Sequence, residues 1–560
     1  MGSDRLREQL ASIAHDLGGG AVPISLETPR NPEHGDLASN LALVLAKTLG
    51  RNPRQLAEAI AARIDLAATG LESVEIAGPG FINFRLAGAS LQTQVARIIA
   101  ADRVYGRADT GAGRRVLVEF VSANPTGPLH VAHGRGAALG DGIAALLEWT
   151  GHAVEREFYV NDAGLQIDRL AESLEARWLQ LRGEAASIPE GGYHGDYLVE
   201  LARSVTAELG TLLAALDTPA RRRALRDFAV ERLRLEQDAD LRAFGVHFDS
   251  YFSESELYAA DRLAETRREL HERGLTYEEG GALWLRTSAF GDDKDRVLVK
   301  SDGSFTYFLP DIAYHRDKAR RGFAHAINVW GADHHGYVPR MKAALAALGL
   351  PDFLDVEIVQ MVRIMRGGVE AKFSKRAGDF VTLRELFDET GRDVARYFFL
   401  MRRGDTQMLF DLDLALDQSE KNPVYKVQYA HARMMSIFRK AGVAADAVAA
   451  SAAELTRLSH ELERELIKQL GQFPGVVERA ATARAPHMVC DYLEQTAGMV
   501  NSWYHAGNPN RNPALAVLSA DPATRSARLA LARATRTVLR NGLELLGLSA
   551  PEQMQREDTE

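Results

Sequence analysis

Between residues 116 and 160 the chain carries a pattern with few structural solutions. Val116-Leu117-Val118-Glu119-Phe120-Val121 is a short, nearly continuous apolar run with β-branched residues, as expected of a buried parallel strand. A proline- and glycine-bearing loop follows, Asn124-Pro125-Thr126-Gly127-Pro128. Next come a segment of helical period ending in Ala144-Ala145-Leu146-Leu147-Glu148-Trp149, a stop at Gly151 and a second strand over Val154 to Val160. Strand, glycine-bearing loop, helix and strand make a βαβ unit, and the switch point of such a sheet is where nucleotides bind.

The rest of the chain groups around that unit. Residues 1 to about 107 read as a separate α+β module. It has a helix from Leu37 to Leu49 closed by Gly50, a helix from about Pro53 to Ile64, and two alternating runs, Val74-Glu75-Ile76 and Phe81 to Leu86, split by Gly78-Pro79-Gly80. Tyr105 to Arg115, with three glycines, reads as the linker out of it. The composition over Leu165 to Gly245 predicts helices inserted into the nucleotide-binding domain, the insertion running to about residue 285. Strand signals return at Ala282 to Leu285, Val297 to Phe308, Ile327 to Trp330 and Val356 to Val362. From about Ser419 only helical patterning remains. The expected division is 1–107, 108–418 and 419–560, in keeping with a length of 560 residues.

Composition excludes some classes. One cysteine, Cys490, allows no internal disulfide and no four-cysteine zinc site. No apolar run is long enough to span a bilayer and the first residues lack a secretory pattern, so the expected location is the cytoplasm, with no membrane partner. With 67 Lys and Arg against 76 Asp and Glu the net charge is −9, which argues against a simple nucleic-acid coat but leaves folded RNA open.

Two segments carry candidate chemistry. His130 and His133, three apart at the start of the predicted helix, share nearly one face beside the positive end of its dipole. There they can donate to the phosphates of ATP as charge builds on the α-phosphate. Lys372-Phe373-Ser374-Lys375-Arg376-Ala377-Gly378-Asp379 is a basic loop closed by glycine, suited to neutralising pyrophosphate as it leaves. Each also fits a blander role, as helix-capping polar residues and as a solvated basic face. No Walker-type loop occurs, so ATP would not be held as in a P-loop enzyme. Glu119 interrupts an apolar strand, which is costly unless a cation pairs with it. Either a ligand or one of the chain's own arginines could supply that cation. Asp311, set among Tyr, Phe, Leu and Pro, is expected to point into a cleft, and Tyr307 is either a ligand contact or a core aromatic. Asp333-His334-His335 lacks a third ligand at a telling spacing, so no metal site is expected. Arg525, Arg528, Arg533, Arg536 and Arg540 fall within roughly 140° of a helix, a stripe for phosphates or an ordinary solvated face.

Taken together, these segments resemble a known family. His130-Val131-Ala132-His133 is similar to the H-x-G-H signature of class I aminoacyl-tRNA synthetases, and Lys372 to Lys375 to their K-M-S-K loop. Val118 to Gly127, Tyr159 to Gly164, Tyr307 to His315 and Gly331 to Tyr337 resemble the arginine-specific branch. Asn422 to Arg433 is similar to the start of its anticodon-binding domain. Asn31 to Asp36 and Gly78 to Asn83 resemble its N-terminal module, which contacts tRNA.

The resemblance implies a Rossmann-like α/β class I catalytic domain with a helical insertion, an N-terminal α+β module and a C-terminal all-α anticodon-binding domain. It implies a ligase that joins L-arginine to tRNA(Arg) through an adenylate, with ATP and Mg²⁺ as a substrate complex, no tightly bound cofactor, and a monomeric chain. His130, His133, Lys372 and Lys375 would be catalytic and would bind ATP together with Gly134, Gly331, Asp333, His334, Phe373 and Ser374. Arginine would meet Glu119, Ser122, Asn124, His130, Tyr307, Asp311 and His334, the guanidinium asking for carboxylates in a partly dry pocket. tRNA would meet Asn31, Phe81, Asn83, Tyr425, Gln428, Tyr429, Arg433, Arg536 and Arg540. Ala132 departs from the signature's glycine, and its methyl is expected to crowd the nucleotide.

Overall fold

The computed structural model describes residues 2–554 apart from 28, 30, 163, 372–380, 509, 511, 519 and 520. In the N-terminal module, β1 (Leu37–Ser39), β2 (Leu71–Ala77) and β3 (Phe81–Leu86) form an antiparallel sheet in the order β1-β3-β2. Helices Gly2–Asp16, Leu41–Leu49 and Pro53–Ala61 cover it around Leu10, Leu45, Leu56, Ile60 and Phe84. The helix expected from Leu37 starts only at Leu41, because Leu37 to Ser39 pair with Phe84 to Ile82. Gly35 makes this approach possible: at φ +95°, an added Cβ would lie 2.8 Å from the Phe84 carbonyl.

The central sheet contains β4 (Arg115–Glu119), β5 (Ala153–Val160), β6 (Ser250–Ser253), β10 (His325–Gly331) and β11 (Leu354–Val359), all parallel, in the order β11-β10-β4-β5-β6. The chain builds outward from β4 through β5 to β6, then restarts on the other side with β10 and β11. The direction therefore reverses between β4 and β10, and the crevice beyond their carboxyl ends is the switch point of a doubly wound sheet. Helix Val131–Trp149 follows β4 and 3₁₀ turn Ala332–Tyr337 follows β10, so the two sequence words Leu129–Arg135 and Gly331–Tyr337 flank this crevice.

Helices Leu165–Leu181, Asp196–Ala215 and Thr218–Ala243 are inserted between β5 and β6, with their own core of Leu170, Trp178, Leu198, Val205 and Phe228. The expectation of a helical insertion reaching about residue 285 needs correction. The long helices stop at Ala243 and the chain re-enters the central sheet at β6. β7 (Thr276–Glu279), β8 (Ala282–Leu285) and β9 (Arg296–Val299) then form an antiparallel sheet. A further small sheet, in the order β13-β12-β14, joins β12 (Val362–Arg366), β13 (Val369–Glu370) and β14 (Met408–Asp411).

Past residue 419 the described residues are helical. Asn422 caps helix Pro423–Ala441, its side chain accepting from the backbone N–H of Val424 and Tyr425. The apolar core of this bundle is continuous with that of the catalytic sheet. The expected linker is held as well: Tyr105 stacks near Phe473 and donates to the Leu470 carbonyl at 3.1 Å. No helix of the described residues is long and apolar enough to cross a membrane.

Candidate active site

The chain leaves β4 through a tight reversal. Val121 (φ 67°) and Ser122 (φ 42°) are both left-handed, an outlier for a β-branched residue. Hydrogen bonds hold the turn: Ser122 Oγ donates to Glu119 Oε1 at 3.0 Å and accepts from Tyr159 N–H at 3.2 Å. The loop then runs to His130 at the start of helix Val131–Trp149. The rings of His130 and His133 stack at 3.7 Å with 21° between planes. His133 Nδ1 accepts the His130 N–H at 3.3 Å, which leaves Nε2 as the ring's N–H donor. Burial, reinforced by His130, lowers His133 to about pH 3, and burial lowers His130 also. The pair is therefore neutral at pH 7 and can donate hydrogen bonds without adding charge.

Lys372, Phe373, Ser374 and Lys375 lie outside the described residues. The residues that follow are strapped to the histidine segment: Val131 N–H donates to Val381 O at 3.2 Å, and Leu383 N–H to Leu129 O at 2.8 Å. Gly134, expected at the nucleotide, has a packing role in the fold. An added Cβ would stand 2.5 Å from Leu383 Cδ1 and 3.2 Å from Phe399, so the glycine lets the neighbouring helices close on its own. Sequence reasoning missed Arg135. Fully buried, it donates to the carbonyls of Gln360 (2.9 Å), Thr406 (2.8 Å) and Arg403 (2.8 Å), tying the approaches to β12 and β14 to this helix. Its signal was a lone arginine among small residues. Across the crevice Gly331, Asp333 and His334 are exposed, with His334 Nε2 3.5 Å from Asp333.

The amino-acid side of the crevice is acidic. Asp311, in the first turn of helix Phe308–Arg320, accepts from Tyr337 Oη at 2.6 Å. Burial, with the charges of Glu254 and Glu119 adding to it, pushes its carboxyl up to about 7. Glu254, at the start of helix Glu254–Ala259 just beyond β6, bonds to Tyr159 and Tyr258 and is also raised, chiefly by burial. Neither carboxylate forms an ion pair among the described residues. Glu254 was not foreseen, because acids are common in first helical turns and nothing in sequence separates this one. Tyr307 is 81% exposed at the start of its helix, so it is not a core aromatic.

Glu119 is a correction. It was expected to meet a guanidinium, but Lys318 Nζ donates to it at 2.6 Å and Asn328 Nδ2 at 2.8 Å, and Lys318 is fully buried over the Tyr314 ring. A carboxylate in the middle of the sheet needs a counter-charge whenever the protein is folded, and the chain's own ammonium supplies it. Asn328 also donates to His315 Nε2 (3.0 Å), so His315 Nδ1–H donates to the Asp311 carbonyl (2.8 Å) and ties this network to the acidic pocket. Burial lowers His315 to about 3, so that ring is neutral.

The candidate RNA contacts divide by exposure. Asn31 is exposed and Phe81 is 44% exposed, whereas Asn83 is buried within its strand pairings. Tyr429 is half-buried, stacked on the buried Tyr425 at 5.6 Å, with the Arg433 guanidinium 4.6 Å above its ring. Gln428 and Arg433 are buried and held within the chain, Gln428 by Asp393 (2.9 Å) and Arg433 by Asn501. The arginine stripe is a further correction: Arg536 pairs with Asp446 (2.5 Å), Arg540 with Asp102 (2.7 Å) and Arg528 with Glu463 (2.7 Å). Helix Pro522–Leu545 is buried along most of its length, so Arg528, Arg536 and Arg540 point inward, while Arg533 is half-buried and Arg525, near the helix start, is exposed.

Comparisons with known proteins agree with this arrangement. Residues 3–86 match the family described as arginyl tRNA synthetase N terminal domain. Residues 94–185 and 218–409 match tRNA synthetases class I (R), catalytic domain, and residues 427–554 match the DALR anticodon binding domain. The chain is 49% identical over 557 residues to an arginine–tRNA ligase of Desulforudis audaxviator, covering 98% of this chain and 97% of that one. It is 48% identical to one of Geobacillus kaustophilus, with 98% and 99% covered. Among solved structures, Thermus thermophilus arginyl-tRNA synthetase superimposes with a TM-score of 0.77 at 25% identity, over 98% of this chain and all of the other. A structure described as a putative arginyl tRNA synthetase from Campylobacter jejuni gives 0.76 at 33% identity, over 84% and 100%.

Proposed function

The chain belongs to the arginyl-tRNA synthetase family, class I ligases that activate arginine with ATP and pass it to tRNA, and from that premise we propose how its residues divide the work. Arginine enters with its guanidinium toward Asp311 and Glu254 and under Tyr307, and with its α-amino end toward Asn124 and Ser122. Its carboxylate attacks the α-phosphorus in line and pyrophosphate leaves. The 2′- or 3′-hydroxyl of the terminal adenosine then attacks the acyl carbon, releasing AMP. No side chain acts as a nucleophile, so the rate comes from positioning and charge. His130 and His133 donate neutral hydrogen bonds to the phosphates, and Lys372 and Lys375 carry the cationic charge that pyrophosphate needs. Gly331, Asp333 and His334 face the nucleotide, which arrives as its Mg²⁺ complex. Asn31 and Phe81 meet the tRNA body, and Tyr429 the anticodon. The chain acts as a monomer in the cytoplasm, since one chain carries both the substrate pockets and the tRNA-reading modules.

What supports this reading most is the pair of carboxylates, Asp311 and Glu254, both raised chiefly by burial and neither forming an ion pair among the described residues. The experiment uses citrulline, which replaces the cationic fork with a neutral urea of nearly the same size. Truncating one partner of a close, hydrogen-bonded charge pair costs roughly 2–5 kcal/mol, so citrulline, which forfeits the pair, should be used on the order of 10²- to 10³-fold less efficiently. Asp311→Asn should cut kcat/KM for arginine steeply and narrow that gap. An unchanged arginine-to-citrulline ratio in the mutant would remove Asp311 from the pocket.

A further inference from the structure

The loop between β4 and the histidine helix has backbone carbonyls that must be satisfied, and most of the donors come from far away in sequence. Gln237, on helix Thr218–Ala243 and only 2% exposed, donates through Nε2 to the carbonyls of Asn124 (3.1 Å) and Gly127 (2.9 Å). Two acceptors on one atom fix the amide orientation, because only the NH₂ end has two hydrogens to give. Tyr197, on helix Asp196–Ala215, donates its hydroxyl to the Thr126 carbonyl at 2.6 Å. Gln166, on helix Leu165–Leu181, accepts from Asn124 Nδ2 at 2.6 Å. Within the loop itself Thr126 N–H reaches the Asn124 carbonyl at 2.8 Å. Each inserted helix thus contributes one side chain to the same four residues, although the insertion has a separate core.

We propose that Gln237 and Tyr197 are positioning residues, through which the inserted helices set the Asn124–Gly127 loop and hence the affinity for the amino acid. A buried carbonyl accepts from a side chain only at a defined distance and angle, so moving the helices moves the loop. Asn124 sits at one end of it, and Leu129 and His130 follow directly. The inference rests on the assignment of Asn124 to arginine made above.

The test is steady-state aminoacylation by the full chain carrying Tyr197→Phe, Gln237→Leu or Asn124→Ala. KM does not depend on how much of a preparation is active, so a purely structural defect lowers the apparent kcat and leaves KM for arginine in place. Losing one hydrogen bond should raise KM for arginine roughly 3- to 10-fold in Tyr197→Phe, and displacing the loop should raise it about 10- to 100-fold in Gln237→Leu. KM for ATP should move less. Tyr197→Phe removes one hydroxyl only and carries the test if Gln237→Leu fails to fold. An unchanged KM for arginine in Tyr197→Phe and in any folded Gln237→Leu, alongside a raised one in Asn124→Ala, overturns the clamp and spares the site. Unchanged values in all variants overturn both. Raised values in the clamp variants alone keep the clamp and pass the arginine contact to another loop residue.

Discussion

In helix Pro522–Leu545, Arg528, Arg536 and Arg540 are buried and each meets a carboxylate of the same chain, whereas Asp311 and Glu254 in the catalytic crevice are screened from water and form no ion pair among the described residues. Both regions confine charge where water cannot solvate it well. In the first, folding supplies the counter-charge, and the ion pairs cross-link helices or modules: Arg540 reaches Asp102 near the N-terminal module, and Arg528 fixes Glu463. In the second, folding withholds it, and the carboxyls respond by holding their protons to higher pH. Glu119 lies between the two cases. It is in the crevice yet belongs by chemistry to the first group, because Lys318 already neutralises it. A buried charge thus points to a ligand only when its partner is missing.

The largest expected effects come from exchanging the outcomes of the two regions. Arg528→Met leaves Glu463 buried without its cation, and breaking such a pair costs about 3–5 kcal/mol of stability. Denaturant unfolding should show that loss, while kcat/KM per folded molecule stays near wild type. Asp311→Asn should do the reverse: stability holds or rises, because a poorly solvated charge is removed, and turnover of arginine collapses. If Asp311→Asn instead unfolds the protein, Asp311 is a structural charge like those of the helix and the contrast fails.

A smaller effect separates the regions by pH. A carboxyl raised to about 7 is half protonated at pH 7 in the free enzyme, and a guanidinium binds its ionised form. Arginine binding should therefore release about half a proton at pH 7 and closer to one at pH 6, and affinity should weaken toward tenfold per unit below pH 7. His133, lowered to about 3, is neutral throughout this range and does not contribute, and burial lowers His130 in the same direction. Calorimetry in buffers of different ionisation enthalpy measures the proton count. A binding enthalpy that does not depend on the buffer would mean Asp311 is ionised before arginine arrives.

The same contrast explains what could be read before the fold was known. A nearly continuous apolar run exposed β4, stretches rich in β-branched and aromatic residues exposed β5, β10 and β11, and the three-residue spacing of His130 and His133 placed both at one helix start. β6 has four residues, Ser-Tyr-Phe-Ser, and offers no periodicity to read. Helical period put the terminal arginines on one face correctly, but a period says nothing about whether that face points in or out. Only the carboxylates of other segments decide that, and Asp102 lies hundreds of residues from Arg540. Lys318 was missed as the partner of Glu119 for the same reason. Asp311 was legible from its Tyr, Phe, Leu and Pro neighbours, whereas Glu254 looks in sequence like any other first-turn acid and only its burial without an ion pair among the described residues singles it out.

The smallest effect tests a position in the crevice where charge plays no part. Ala132 lies half-buried in the first helical turn, between the two histidines, where the family signature has glycine. Ala132→Gly removes a methyl that can crowd the nucleotide, which favours ATP. It also loosens the backbone, and glycine in a helix interior costs roughly 0.5–1 kcal/mol, with less expected this near the end. These opposing terms are of similar size, so KM for ATP should stay level or fall by about threefold at most, and KM for arginine should not move. Steady-state kinetics with each substrate varied in turn would show this. A large loss of activity would mean that the stacked histidines depend on alanine to hold the first turn. Backbone order at the helix start would then matter as much to this site as the charges that set it apart from the C-terminal helix.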